Sequence, residues 1–148
     1  MKTYIMGDVH GMYNKFISCL KSVNFDYNND ILIQLGDVVS RGNDSYLVIE
    51  ELLKIKNLIP IKGNHDDCWF HYLKTGEQDI LWNQGGDNTY FSYVKEGVNP
   101  EVHFEFFNKQ LMYFIDGNNN CFIHGGFNRH KLLIEETEPS IFWWDRDL

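Results

Sequence analysis

Arginine is nearly missing from this chain: among 148 residues only Arg41, Arg129 and Arg146 carry a guanidinium. Such scarcity makes the place of each one informative. Basic clusters are missing as well, and the formal net charge is −8. That balance argues against a sequence-independent grip on nucleic acid or on an anionic membrane, because either partner is held by grouped Lys and Arg. Cys19, Cys68 and Cys121 are far apart, odd in number and without CxxC spacing. Neither a disulfide framework nor a zinc knuckle is supported, and a reducing compartment is implied. No stretch reaches the roughly 18 apolar residues of a membrane span, and the N-terminal MKTYIMGDVHG has no apolar core of a secretory leader. Repeats, linkers and low-complexity tracts are absent beyond the short run Asn118-Asn119-Asn120. The expectation is one soluble, cytoplasmic domain over residues 1–148. With 43% hydrophobic and 16% aromatic residues it has enough apolar side chains for a core.

What is present is one arrangement used three times. Lys2–Met6 is a short apolar run stopped by Gly7 and reads as a strand. Met12, Phe16, Leu20 and Val23 then recur at the intervals of a helix that lays one face on a sheet. Ile31–Leu35, followed by Gly36-Asp37, repeats the pattern; Asp44 or Ser45 could cap the next helix, with Leu47, Val48, Leu52 and Ile55 on its inner side. A third strand, Leu58–Ile61, ends in Gly63-Asn64-His65-Asp66 ahead of a helical segment, and Pro60 argues for an edge position. Strands alternating with helices imply a mostly parallel α/β sheet with right-handed crossovers. All three strands then deliver polar residues to one carboxyl edge. Residues 82–93 are rich in glycine and aromatics without a clear period and read as loop plus helix. Met112–Ile115 and Cys121–Ile123 flank a turn of residues that tolerate positive φ and read as a β-hairpin, with His124-Gly125-Gly126 after its second strand.

Collected at these ends are Asp8, His10, Asp37, Asn64, His65 and His124. Oxygen and imidazole donors in that mixture suit manganese, iron or zinc. A shared carboxylate is the usual way to hold two such ions about 3.5–4 Å apart, and Asp37 is the natural bridge. Taken singly, each element has a plain structural reading: Gly-Asp after a strand is more often a turn, Asn-His a helix cap, a histidine before two glycines a loop residue. His71, His103 and His130 receive that reading, since none follows a strand end in the same way. The joint pattern changes the odds, because glycine precedes the ligand in three cases and an apolar strand precedes each glycine.

Gly7-Asp8-Val9-His10-Gly11, Gly36-Asp37-Val38-Val39-Ser40-Arg41-Gly42, Gly63-Asn64-His65-Asp66 and His124-Gly125-Gly126 resemble, in order and roughly in spacing, the signature blocks of the PPP phosphoprotein phosphatases, within the calcineurin-like metallophosphoesterases. Residues 82–93 and Trp143-Trp144-Asp145-Arg146 look most like the short bacterial and phage branch, which also includes symmetrical diadenosine tetraphosphatases. The resemblance implies an αββα sandwich and two divalent ions, manganese first, with iron or zinc as alternatives. Asp8 and His10 would hold one ion with Asp37 bridging, and Asn64 and His124 the other. His65 would be the general acid; Arg41 and Arg146, beside Asn64, would clamp the phosphate. Arg129 is read as a surface residue. The implied reaction is phosphomonoester hydrolysis by direct attack of a metal-bound water, with phosphoserine and phosphothreonine in proteins as the first substrate expectation. The alternatives are a nucleoside polyphosphate of the diadenosine tetraphosphate kind, or an impaired metal-binding remnant acting as an interaction module. A phosphodiesterase or nuclease ranks lower, because Arg41 and Arg146 suit a terminal phosphate dianion.

Two departures from the family pattern matter. Where Ser40 stands the family normally has Asp, the orienting partner of the general-acid histidine. Serine brings no negative charge, so His65 is expected to be a weakened acid unless Asp66 substitutes; the plain alternative is that Ser40 caps the next turn. The pattern also continues past the Trp-Arg segment and supplies a further histidine ligand that no residue here matches. The sequence therefore reads as shortened, without the fold's C-terminal strands and with its second metal site one ligand short. Ile141-Phe142-Trp143-Trp144 would be left as an exposed apolar end, and self-association through it is an expectation.

Overall fold

In the computed structural model, residues 1–146 are described. The three apolar runs become parallel strands β1 (Thr3–Met6), β2 (Ile31–Gln34) and β3 (Asn57–Pro60), in the order β1-β2-β3. Met6, Gln34 and Pro60 lie level in the register, so the three following loops start from one line. Pro60 is tolerated because β3 is the edge of this sheet. The Ile61 amide donates to Gln34 O at 2.8 Å, which turns the Pro60 ring nitrogen away from β2. On that outer side there is only an isolated parallel bridge between Ile61 and Leu111.

Helix α1 (Tyr13–Ser22) buries Phe16 and Leu20, whereas Met12 and Val23 fall at its caps and are exposed, so the expected four-residue stripe narrows to two. Helix α2 (Ser45–Leu52) buries Val48, Ile49 and Leu52; Ile55 is buried just past its end, and Leu47 is only half-buried. Asp44 occupies the N-cap position without capping, because its carboxylate pairs with Lys95 at 3.1 Å. Helices α3 (Asn64–Thr75), α4 (Gly86–Glu96) and α5 (Phe104–Asn108) complete this side of the molecule. Trp69 of α3 stacks on Tyr93 of α4 at 5.8 Å within the same core cluster as Leu32, Val38 and Leu52.

The hairpin forms as β4 (Phe114–Ile115) and β5 (Cys121–Phe122), paired antiparallel. Among the described residues this ladder is what represents the sandwich's second sheet. Helix α6 (Ile141–Trp144) corrects the expectation of a bare apolar end: Phe142 and Trp143 are buried, Phe142 against Tyr113 at 5.2 Å and Trp143 under the Lys62 ammonium at 5.4 Å. Only Trp144 of that pair of tryptophans is exposed, which removes the basis for self-association there. Among the described residues no helix is long and apolar enough to cross a membrane. His103 is a satisfied core histidine, held by the Tyr93 hydroxyl and Glu50 Oε1 at 2.8 Å each. His71 and His130 lie away from the strand ends, and Arg129 is exposed.

Candidate active site

The loops after the three strands are laced together before any side chain does chemistry. The amides of Val9 and His10 donate to Asp37 O at 3.1 and 2.9 Å, and that of Gly11 to Val38 O at 2.9 Å. Gln34, a polar residue in an otherwise apolar strand, turns its amide onto Gly36 O at 2.7 Å and Gly7 O at 3.3 Å. The fully buried Asp66 carboxylate accepts from Asp37 N at 2.8 Å, Val38 N at 2.9 Å, Gly63 N at 3.1 Å and Gln110 Nε2 at 2.9 Å. Asp37 Oδ1 in turn accepts from His65 N at 2.9 Å. A Cβ at Gly63 would lie 2.1 Å from Asp37 Oδ1 and 2.3 Å from its amide nitrogen, so only glycine lets the loops close this tightly. The lacing holds strained backbone: His10, Asp37, Ser40 and Arg41 have φ of 46°, 57°, 71° and 61°. Non-glycine residues in that region cost of order 1–3 kcal/mol each and collect at functional sites.

Two histidines present lone pairs to carboxylate and amide oxygens. The Nδ1–H of His10 donates to Val39 O at 2.8 Å, which leaves Nε2 as the acceptor of the neutral ring. That Nε2 lies 3.5 Å from Asp8 Oδ2 and 3.6 Å from Asp37 Oδ2, buried and with no hydrogen-bond partner among the described residues. The Nδ1–H of His124 donates to Leu35 O at 2.7 Å, and its Nε2 lies 3.0 Å from Asn64 Oδ1 and 3.7 Å from Asp37 Oδ2. Arg146 Nη2 donates to Asn64 Oδ1 at 3.1 Å, which marks that atom as the oxygen. Acceptors thus face acceptors in two places, and each place is electrostatically complete only with a cation. Carbonyl partners that fix the far ring nitrogen are also how metal-binding histidines are oriented. The donor atoms of Asp8, Asp37 and His124 lie within 4.8 Å of one another, as do those of His10, Asp37 and His65. Asp37 belongs to both sets, so the residues fit a pair of divalent ions around one shared carboxylate.

The local electrostatics follow from the same crowding. Burial lowers the His10 pKa, but the Asp8 carboxylate beside it, with Val39 O and Asp37, outweighs it and raises the group. Asp8 is held below the usual carboxylate range by the neighbouring His10 ring, against the effect of burial. Burial, and then the Asp66 charge, push the Asp37 carboxyl up to about 6. His65 is depressed to about 4 by burial, then by His10 and the Arg41 guanidinium. Its Nδ1 is buried without a partner among the described residues. Ser40 lines the same small cavity as His65, but its amide donates to Thr89 Oγ1 at 2.9 Å and its side chain caps nothing. Asp66 does not substitute: its carboxylate faces the loop amides and Gln110, and the buried His65 Nδ1 has no partner among the described residues.

The pattern of the calcineurin-like phosphoesterases matches residues 1–146. The chain belongs to that family. Among curated proteins, the symmetrical bis(5'-nucleosyl)-tetraphosphatase of Wigglesworthia glossinidia brevipalpis is 42% identical over 67 residues, covering 45% of this chain and 25% of the relative. The protein of the same description from Proteus mirabilis is 43% identical over 67 residues, covering 45% and 24%. The matches thus span about a quarter of these relatives' length. Two solved structures share the fold: one described provisionally as a diadenosine tetraphosphatase (TM-score 0.72, 20% identity, 95% of this chain and 57% of that one) and a metallophosphoesterase from Sphaerobacter thermophilus (TM-score 0.62, 19% identity, 97% and 49%).

In this chain every predicted site residue reaches one place. Asp8, His10, Asp37, Asn64, His65 and His124 meet at the carboxyl edge, Arg146 reaches Asn64, and Arg41 lines a cavity with Asp8 and His10. Asp66 as organiser, together with Gln34, Gln110 and Thr89, escaped the reading of the sequence. Only Gln34 carries a visible signal, as a polar residue inside an apolar strand.

Proposed function

We propose that this chain is a metal-dependent hydrolase of dinucleoside polyphosphates of the diadenosine tetraphosphate kind, cleaving a phosphoanhydride rather than a protein phosphoester. The observation that carries the reading is the environment of His65. Its Nδ1 is buried without a partner among the described residues, and the residue beside it is the uncharged Ser40, so no carboxylate is hydrogen-bonded to hold it as the imidazolium, and the Asp8 charge that favours that form is outweighed by burial, His10 and Arg41. A histidine that is seldom protonated at neutral pH is a poor source of the proton that a serine alkoxide must take up as it leaves. It is adequate for a nucleoside diphosphate, a far less basic leaving group. The relatives described as tetraphosphatases support the same choice.

Divalent ions held by Asp8, His10, Asp37, Asn64 and His124 would supply Lewis-acid charge to the phosphoryl group and a more acidic water. The chain's own residues do the positioning. Arg146 is braced by Trp143 O at 3.3 Å, Asp145 O at 2.9 Å and Asn64 Oδ1, which aims its guanidinium at the phosphate side of Asn64. Arg41 brings a second guanidinium close enough to depress both His10 and His65. Two planar forks can share the oxygens of one phosphoryl group. The test is manganese-dependent turnover of diadenosine tetraphosphate beside a phosphoserine peptide, with products separated by ion exchange. Two equivalents of adenosine diphosphate at the higher kcat/KM are expected. Faster peptide dephosphorylation would overturn the reading, and metal binding with no turnover on either would leave the remnant.

A further inference from the structure

The metal donors open, on the β1–α1 side, into a groove that none of the catalytic roles requires. One stretch of about 330 Å³ is lined by Asp8, His10, Lys15 and Arg41 together with Met6 and Met12. A second of about 370 Å³ is lined by Tyr13, Gly42 and Asn43, and again by Met12, Lys15 and Arg41. The shared residues join the two into one path leading away from Asp8. Its size is that of a small-ligand site.

Three features set its chemistry. First, although the chain carries a net charge of −8, neither Lys15 nor Arg41 makes an ion pair among the described residues. The other acid lining the groove, Asp44, is already bound to Lys95 at 3.1 Å. Second, Lys15 sits in the first turn of α1, which contains no acid and has no capping side chain. A cation there opposes the helix dipole, so helix stability does not explain it. Third, the stretch that Lys15 lines is otherwise soft and apolar: Met6, Met12, Phe16 and Cys19 share its lining, and Met12 is 42% exposed. Thioethers pack favourably against aromatic rings.

We propose that this groove is a subsite for a nucleoside polyphosphate: it leaves the reacting phosphoryl group at Arg41, with Lys15 holding a phosphate beyond the reacting one and Met12 and Met6 lying against the base. The assignment rests on the dinucleoside polyphosphate reading above and adds the residues that would select such a substrate. Lys15 and Met12 are binding residues and take no part in the reacting centre.

The experiment compares Lys15→Met, Lys15→Arg and Met12→Ala with the parent chain. KM and kcat are measured on diadenosine tetraphosphate and on p-nitrophenyl phosphate, which carries no second phosphate to reach Lys15 when its phosphoryl group is at the reacting centre. Calorimetric binding of diadenosine tetraphosphate and of inorganic tripolyphosphate in calcium, without turnover, provides a readout other than activity. Loss of one charge-assisted contact predicts a roughly 10- to 100-fold weaker affinity in Lys15→Met for both polyphosphates, restored in Lys15→Arg. Met12→Ala should weaken only the nucleoside-bearing ligand, and kcat/KM on p-nitrophenyl phosphate should stay within about twofold in all three. Equal losses on both substrates, or unchanged polyphosphate affinity in Lys15→Met, would overturn the subsite while leaving the dinucleoside reading in place. A parent chain that turns over p-nitrophenyl phosphate but neither binds nor cleaves diadenosine tetraphosphate would overturn the reading itself, and the subsite with it.

Discussion

Asp66 touches no substrate and yet should be the most sensitive position in the site. Its carboxylate takes four buried donors: Asp37 N, Gly63 N and Gln110 Nε2 on Oδ2, and Val38 N on Oδ1. Asp66→Ala orphans all four, and the three main-chain amides cannot turn elsewhere. At roughly 1–3 kcal/mol for each buried donor left unmade, those amides alone cost about 3–9 kcal/mol, comparable with the whole stability of an ordinary domain. Asp66→Asn is the informative variant. Its amide oxygen keeps the three bonds of Oδ2, while its NH₂ faces the Val38 amide, donor against donor. One charge-assisted bond is lost, offset in part because burial pushes the native carboxyl up, so a net cost of about 2 kcal/mol is expected. For a chain of this size that lowers Tm by about 4–8 °C. Thermal unfolding at pH 7.5 in chelator measures it, and repeating the scan with manganese measures coupling to the metal site. Because the Asp37 peptide hangs from Asp66, the rise in Tm on adding metal should shrink in the variant. An Asn variant as stable as the parent, with the same metal-induced shift, would refute the view that this carboxylate organises the site.

Asp37→Asn should abolish metal-induced stabilisation and p-nitrophenyl phosphate hydrolysis while stabilising the metal-free chain. A carboxyl raised from its ordinary value to about 6 contributes stability that is present below pH about 4 and lost as pH rises through 6, by up to about 3 kcal/mol. In chelator the parent's Tm should therefore fall between pH 5 and 7 more steeply than the variant's; parallel profiles would count against it. Ser40→Asp places a carboxylate in the cavity shared with His65 and should flatten the dependence of rate on leaving-group basicity across a series of aryl phosphates, most visibly for phenyl phosphate. An unchanged slope would mean that Ser40 has no bearing on proton transfer. Gly85→Ala puts a Cβ 2.2 Å from the Arg41 amide nitrogen at a φ of +99°. It should cost roughly 10- to 100-fold in kcat/KM by displacing the Arg41 guanidinium, with metal affinity retained; loss of metal binding at the same time would place the damage elsewhere.

The strand ends were legible because their signal is local. An apolar run stopped by glycine and followed by a donor residue states both the strand and the edge it faces, and Asp8, Asp37 and Asn64 were found that way. The limits of the helix stripes were less legible, since Met12 and Val23 keep the right period but fall at the caps of α1 and end in solvent. Asp66 was invisible as an organiser because its partners Asp37, Val38 and Gln110 are 29, 28 and 44 residues away. The burial of Phe142 and Trp143 depends on Tyr113 and Lys62, equally remote.

The order of the two candidate substrates was hard to read from the motifs for a related reason. The motif blocks contain the parts that act on any phosphoryl group, and those parts are indifferent to what leaves. Discrimination between an alkoxide and a nucleoside diphosphate resides in how strongly His65 is held as an acid and in what lies beyond Arg41. The first depends on a cavity closed by Ser40, in the loop after β2, and Trp69, on α3. The second depends on Lys15 and Met12, which sit on the first crossover and come beside Arg41 only when the sheet brings the loops together. Ser where the family pattern has Asp at position 40 was therefore readable as a change in the general acid, but only the assembled site shows His65 and Ser40 in one cavity, which is what the proposed preference for a better leaving group rests on.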